Sequence, residues 1–307
     1  MKQNDQRAKG VLSKVREIEI RARRLVEESL AGQYHSVFKG RGMDFDRARE
    51  YVRGDEVRTI DWNVTARTGS PHVKMFTEER ELTMMLIIDV SASLEFGSGS
   101  QTKRELAAEV ASVMAFSALR NNDKVGLILC TDEVEHYLPP VSGRRHVLRL
   151  IRDILYFEPK GQGTNLVAAI DFANRVQPRK SLMLLMSDFI FSSSQEESME
   201  VLRPKIGTTS RRHDLVSLAI NDKREEELPN IGILRVEDSE DGEIVSLNTG
   251  SKTLRESFKA ETIVQRDKMR RLFTQQGVDF LELKTDEPYQ FVLKQFFSNR
   301  EQRAIRS

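Results

Sequence analysis

The sequence predicts an α/β fold: a doubly wound, mostly parallel sheet of Rossmann type, with a small β-rich extension on its N-terminal side. Two observations carry this. Short, near-continuous apolar runs at 82–88, 125–129 and 181–187 read as strands buried on both faces, the kind found in parallel sheets. Between and after them lie longer segments with apolar residues at helical spacing, so strands and helices alternate.

The elements follow in order. Val11, Val15, Ile18, Leu25 and Val26 recur at roughly helical spacing among Arg16, Arg21, Arg23 and Arg24. This marks an amphipathic helix within 1–32, ending near Gly32. Glu17, Glu19, Glu27 and Glu28 dilute its charge, which favours docking on the protein's own body or a partner over a membrane surface.

Residues 33–80 form the extension, where charges of both signs alternate with apolar residues around the sole tryptophan, Trp62. One reading is a unit of short strands and turns, laced by ion pairs and pinned by Trp62. The other is a partner surface drawn from Arg41, Arg53, Asp55, Arg58, Asp61, Trp62 and Arg67, because aromatic and arginine side chains are favoured at interfaces. Both can hold.

Residues 81–307 carry the main fold. The first buried run is followed by a helix at about 101–120, with Leu106, Val110, Val113, Met114 and Ser117 on one face. A strand at 124–130 precedes a shorter one at 134–138, which ends at the Pro139-Pro140 break. A helix at 144–155 follows. The loop Gly161-Gln162-Gly163 then leads through Thr164 and Asn165 into a helix reaching about 176. Strands at 181–187 and 214–220 follow, and the first ends in Asp188. A hairpin insertion near 221–250 turns at Asp241-Gly242. A helix at 253–276, a strand at 278–283 and a closing helix at 288–297 complete the chain.

Composition narrows the function classes. The chain has 307 residues, 39% hydrophobic and 31% charged, with 48 Lys and Arg against 47 Asp and Glu. This balance points away from nucleic acid as the main partner. The single cysteine, Cys130, excludes an intrachain disulfide and closes an apolar run, as a buried core thiol would. No stretch approaches the roughly 18 apolar residues of a transmembrane helix, and no apolar leader opens the chain, so a cytoplasmic location is expected.

Strand ends are where open parallel sheets place their sites. Asp89-Val90-Ser91-Ala92-Ser93 follows the first buried strand, Thr164 follows a glycine loop, and Asp188 follows another buried strand. Carboxylate and hydroxyl oxygens without nitrogen or sulfur suit Mg²⁺, or Mn²⁺ in its place. Asp89, Ser91, Ser93, Thr164 and Asp188 are the candidate metal residues. With only two carboxylates among them, such an ion would accept a further carboxylate from a protein partner. The plain alternative is that they are helix caps and turn residues.

From about residue 82 onward these motifs resemble a von Willebrand factor A domain, and the same five residues match its metal-ion-dependent adhesion site. Lys39-Gly40-Arg41-Gly42-Met43-Asp44-Phe45, the stretch 54–62 (Gly-Asp-Glu-Val-Arg-Thr-Ile-Asp-Trp) and Glu78-Glu79-Arg80-Glu81 resemble the family called domain of unknown function 58. That family is bacterial and archaeal and is commonly encoded beside AAA+ ATPases of the MoxR type. The resemblance therefore implies a partner or adaptor of such an ATPase, in a chaperone-like or complex-maturation system; it does not give a biochemical activity, and the expectation is a binding module rather than an enzyme.

The rival reading is a metal-dependent hydrolase of the phosphatase type. Haloacid-dehalogenase-type enzymes need a second Asp two residues after the first, where Ser91 stands. No sequence signal places His35, His72, His136, His146 or His213 beside Ser91 or Ser93. No phosphate-binding P-loop is present. Gly97-Ser98-Gly99-Ser100 reads as a flexible loop beside the site.

Overall fold

In the computed structural model, residues 2–30, 33–38, 44–77, 81–190, 196–237 and 244–306 are described. Helix α1 (Lys2–Leu25) runs into a π-helical stretch, Val26–Leu30, before the short helix α2 (Gln33–Phe38). The antiparallel strands β1 (Asp44–Glu50) and β2 (His72–Thr77) enclose one 3₁₀ turn and helix α3 (Trp62–Thr68).

The α/β body follows: β3 (Thr83–Asp89), α4 (Lys103–Arg120), β4 (Lys124–Cys130), β5 (Val134–Val141), α5 (Arg144–Tyr156), α6 (Leu166–Val176), β6 (Leu182–Ser187), α7 (Glu196–Arg212) and β7 (Asp214–Asn221). A short helix, α8 (Lys223–Glu226), leads to the antiparallel pair β8 (Ile233–Glu237) and β9 (Ile244–Asn248). Helix α9 (Lys252–Gln275), β10 (Asp279–Lys284) and α10 (Tyr289–Arg306) close the chain.

The main sheet has six strands in the order β10-β7-β6-β3-β4-β5, all parallel except β5. Alternate side chains of β3 feed two cores. Met84, Leu86 and Ile88 pack with residues of α1, α4, α5 and α10, whereas Met85 and Ile87 pack with residues of α6, α7 and α9. After β5 the chain returns to β6 on the other side of β3. The ends of β3 and β6 thus lie at the topological switch point, where open α/β sheets form crevices.

Helix α4 is buried along almost its whole length. Its sequence is apolar and small nearly all round, the pattern of a helix covered on every side. The sheet covers one side and α1 packs on the outside. Val15, Ile18, Ala22 and Val26 are buried there, and Arg21 Nη1 meets Glu109 Oε1 of α4 at 2.8 Å. The N-terminal helix therefore docks on the protein's own body.

Three expectations need correction. Strand β5 continues through Pro139 and Pro140 to Val141 because it is the sheet edge, where a missing N–H breaks no inner ladder. Helix α2 belongs to the body rather than the extension: Tyr34 is buried, and Phe38 meets Phe297 edge-on at 5.9 Å. Helix α7, unassigned from sequence, packs Leu202 and Ile206 into the second core. The expected Asp241-Gly242 turn lies outside the described residues, but the strands flanking it pair as the hairpin requires.

Two predictions follow from this packing. Ile18→Ala should cost about 2–5 kcal/mol in urea unfolding, as for other buried large-to-small changes; an undocked α1 would leave stability unchanged. His213 is buried, its Nδ1 lies 3.0 Å from Ser181 Oγ, and burial with the nearby Arg212 charge pushes its pKa from 6.5 down to about 4. The unfolded chain then takes up this proton first, so stability should fall as pH drops from 6.5 through about 4. Urea midpoints measured across that window should fall less steeply in His213→Gln.

Candidate metal centre

The β3 ladder carries Asp89 to the sheet's C-terminal edge, where Val90 N still donates to Cys130 O at 2.8 Å. The Asp89 carboxylate is fully buried. Its Oδ1 accepts from Ser91 N at 2.9 Å, and its Oδ2 accepts from Ser187 Oγ at 2.7 Å and Thr164 Oγ1 at 3.2 Å. Ser91 Oγ and Ser93 Oγ lie 3.2 Å apart. Four of the five candidate residues are thus linked by hydrogen bonds, Asp89 to Ser91 through the serine's backbone N–H and the others through side-chain oxygens.

Thr164 reaches the site because its loop is clamped. Glu135 Oε1 accepts from Gly161 N at 2.7 Å and Lys160 N at 2.8 Å, and Ala92 N donates to Gln162 O at 3.1 Å. The loop passes so close to Thr131 and Asp132 that a Cβ on Gly161 or Gly163 would come within 2.4 Å or 2.3 Å of their oxygens. At Gly161 the obstacle is the buried Thr131 side chain, so glycine permits the close approach there.

Asp188 sits on the far side of the group. Its Oδ1 accepts from Ile190 N at 3.2 Å, and its Oδ2 accepts from Lys103 Nζ at 2.7 Å. Phe189, next in sequence, has φ 53°. That left-handed conformation costs a non-glycine residue on the order of 1–2 kcal/mol. It is held by the contacts of Phe189 with Phe273 and Phe280.

Lys103 was not legible as part of this site. Its side chain is completely buried at the start of α4, and its ammonium also donates to Glu225 of α8. Burial opposes its charge, but Asp188 and Glu225 outweigh that and hold its pKa above the usual lysine range. The loop before α4 is anchored rather than free. Ser98 N and Oγ donate to Asp222 at 2.9 and 2.6 Å, and Thr285 Oγ1 donates to the same carboxylate at 2.6 Å.

These charges test whether a cation fits. Asp188 and Glu225 share the Lys103 ammonium, and Asp89 stands beside Asp188, so the three acids exceed the one cation by two charges when all are ionised. Burial, with Asp188 next in effect, pushes the Asp89 carboxyl up to about 6. A hard divalent cation would balance the two charges, and the donor set is oxygen only. Asp89, Ser91, Ser93 and Thr164 fit such an ion. One of the donors to Asp188 is the Lys103 ammonium, a charge that repels a cation at that oxygen, whereas the donors to Asp89 are neutral, so the part of Asp188 is to supply charge. Among the described residues no group of three His, Cys, Asp or Glu side chains stands ready for a metal. Any ion here would lean on hydroxyls and an outside ligand.

Residues 47–268 match the family described as "Protein of unknown function DUF58". The chain belongs to this family. The uncharacterized protein Rv1480 of Mycobacterium tuberculosis is 28% identical to this DUF58 chain over 293 residues, 95% of this chain and 90% of its own length. The uncharacterized protein Mb1516 of Mycobacterium bovis matches equally. Among solved structures, the conserved hypothetical protein BatB from Bacteroides thetaiotaomicron aligns with 74% of this chain and 100% of its own, at TM-score 0.42 and 16% identity. The SpRpn10 VWA domain aligns with 72% of this chain and 95% of its own, at TM-score 0.40 and 12% identity.

The expected partner surface of this DUF58 chain is redrawn. Asp61 is buried and caps α3, accepting from Asn63 N at 3.0 Å and Val64 N at 3.2 Å. Asp55 is held by Arg49 in a bidentate pair, which keeps its pKa below the usual carboxylate range. Both acids shape the unit instead of facing a partner. Trp62 does not pin the unit, since it is 69% exposed. Arg53, Arg58 and Arg67 are exposed, and Arg41 lies outside the described residues. Cys130 is buried, as expected of a core thiol.

Lys103→Met should lower stability by about 3–5 kcal/mol in urea unfolding, because Asp188 and Glu225 lose their counter-charge in a dry place. A loss below about 1 kcal/mol would show that the ammonium is not what balances them.

Proposed function

We propose that this DUF58 chain is a metal-ion-dependent protein-binding module. Mg²⁺, or Mn²⁺ in its place, would be held by Asp89, Ser91, Ser93 and Thr164, with Asp188 contributing charge. The observation that carries the reading is the hydrogen-bonded cluster of Asp89, Ser91, Ser93 and Thr164 at the sheet's C-terminal edge, with the buried carboxylates of Asp89 and Asp188 side by side. When bound, the ion would supply a coordination position for a carboxylate oxygen from a partner. The chain's own part is to orient three hydroxyls, keep Asp89 dry, and hold Asp188 still through Lys103.

The partner we propose is a MoxR-type AAA+ ATPase offering an acidic side chain, the association that the family resemblance implies. No described helix is long and apolar enough to cross a membrane. A cytoplasmic site of action is part of the proposal.

We assign the site no reaction. Ser91 stands where a phosphatase would need its second carboxylate. The described histidine side chains are engaged elsewhere: His72 with Ser70 O, His136 with Asp153, His146 with Val125 O and His213 with Ser181. None supplies a base to Ser91 or Ser93, which supports a binding role.

Calorimetric titration with Mg²⁺ and Mn²⁺ should show saturable binding to the wild type and none to Asp89→Ala at an unchanged unfolding midpoint. Equal binding by both proteins would remove Asp89 from the site. Turnover of p-nitrophenyl phosphate that Asp89→Asn abolishes would instead establish the hydrolase reading.

A further inference from the structure

The extension carries a second surface, separate from the metal centre. The loop 51–61 begins and ends on neighbouring residues: Tyr51 N donates to Pro71 O at 2.8 Å, and Asp61 N donates to His72 O at 2.8 Å. Its two ends are therefore brought together, with Val52 and Arg53 at one and Trp62 at the other. His72 N donates to Thr65 Oγ1 at 3.0 Å and ties α3 to the same point. Arg49 braces the loop through Asp55, whose Oδ2 also accepts from Val52 N at 2.8 Å.

What this braced unit leaves outside is specific. Trp62 is 69% exposed, and Val52 and Val57 are each 62% exposed. Arg53, Arg58 and Arg67 are exposed beside them in sequence and make no side-chain bond to any described residue. Arg49, Asp55 and Asp61 bond within the unit and shape the loop. A tryptophan and free guanidinium groups on a pre-shaped loop have the composition of an interface hot spot, and bracing lowers the ordering cost of binding.

We propose that this face docks an acidic segment of a partner protein that carries an apolar anchor residue. Guanidinium groups take carboxylates through paired hydrogen bonds, and Trp62 with Val52 and Val57 offers the anchor an apolar seat. This surface is independent of the metal reading.

The test uses the full chain in excess chelator, so that failure of the metal centre cannot affect it. The probe is a Glu- and Asp-rich peptide interrupted by leucine and phenylalanine. Trp62, the sole tryptophan, reports directly. The expected result is a saturable blue shift and loss of acrylamide quenching, weakened by salt. A charge-reversed peptide and oligothymidylate should produce neither. By anisotropy of a labelled peptide, Trp62→Ala, or the combination Arg53→Glu, Arg58→Glu and Arg67→Glu, should weaken binding about 10-fold or more at unchanged unfolding midpoints. Three results would overturn the proposal: no shift with the acidic peptide, equal affinity after the triple reversal, or a stronger response to oligothymidylate. Concentration-dependent shielding of Trp62 without any peptide would also overturn it, assigning the face to a second copy of this chain.

Discussion

Lys103 carries a positive charge in a place that water does not reach, and the geometry at the sheet's C-terminal edge depends on it. Its ammonium joins Asp188, at the end of β6, to Glu225, on the short helix after β7. An unpaired carboxylate in such surroundings would be expelled or protonated. The pairing gives Asp188 a counter-charge at 2.7 Å where it stands beside Asp89. One buried lysine thus ties the first helix of the body, two strand ends and the start of the hairpin insertion into one electrostatic unit.

The fold supplies the surroundings this unit requires. Helix α4 places Lys103 at its first position, fixed by a capping box in which Thr102 Oγ1 accepts from Glu105 N and Glu105 accepts from Thr102 N, each at 3.2 Å. The sheet covers the inner face of α4, and α1 covers the outer. The N-terminal helix thus covers the turns of α4 that follow Lys103, with Lys14 on Glu105 and Arg21 on Glu109. Arg300 closes the opposite side, bonding to Asp214 and Asp279 and lying over the Phe38 and Phe296 rings at 5.2 and 5.0 Å.

Much of this was legible in the sequence, for physical reasons. The β3, β4 and β6 runs are buried on both faces, so their apolar continuity announced them. Asp89, Ser91 and Ser93 are local in sequence, and a strand end gives them a common direction. Lys103 was illegible because burial of a lysine depends on partners 85 and 122 residues away. Ser187, which donates to Asp89, reads as ordinary strand sequence. Helix α7 was hidden by Pro204 and Gly207, both poor helix formers; a Cβ on Gly207 would come within 2.3 Å of Gln276 Oε1. Trp62 misled in the other direction. A lone tryptophan suggests a core, yet capping by Asp61 and the Arg49–Asp55 pair do the holding.

The two proposed surfaces differ in chemistry: a buried cluster of carboxylates and hydroxyls on the body, and an exposed face of arginine and apolar side chains on the extension. The cluster on the body is the central claim. Its most direct test is a crystal grown with Mn²⁺ and examined for anomalous scattering. The account predicts one peak, bonded to Ser91 and Ser93 oxygens at about 2.0–2.2 Å and close to Asp89 and Thr164. A peak elsewhere, or none there at saturating Mn²⁺ in the presence of a carboxylate ligand such as acetate, would contradict it.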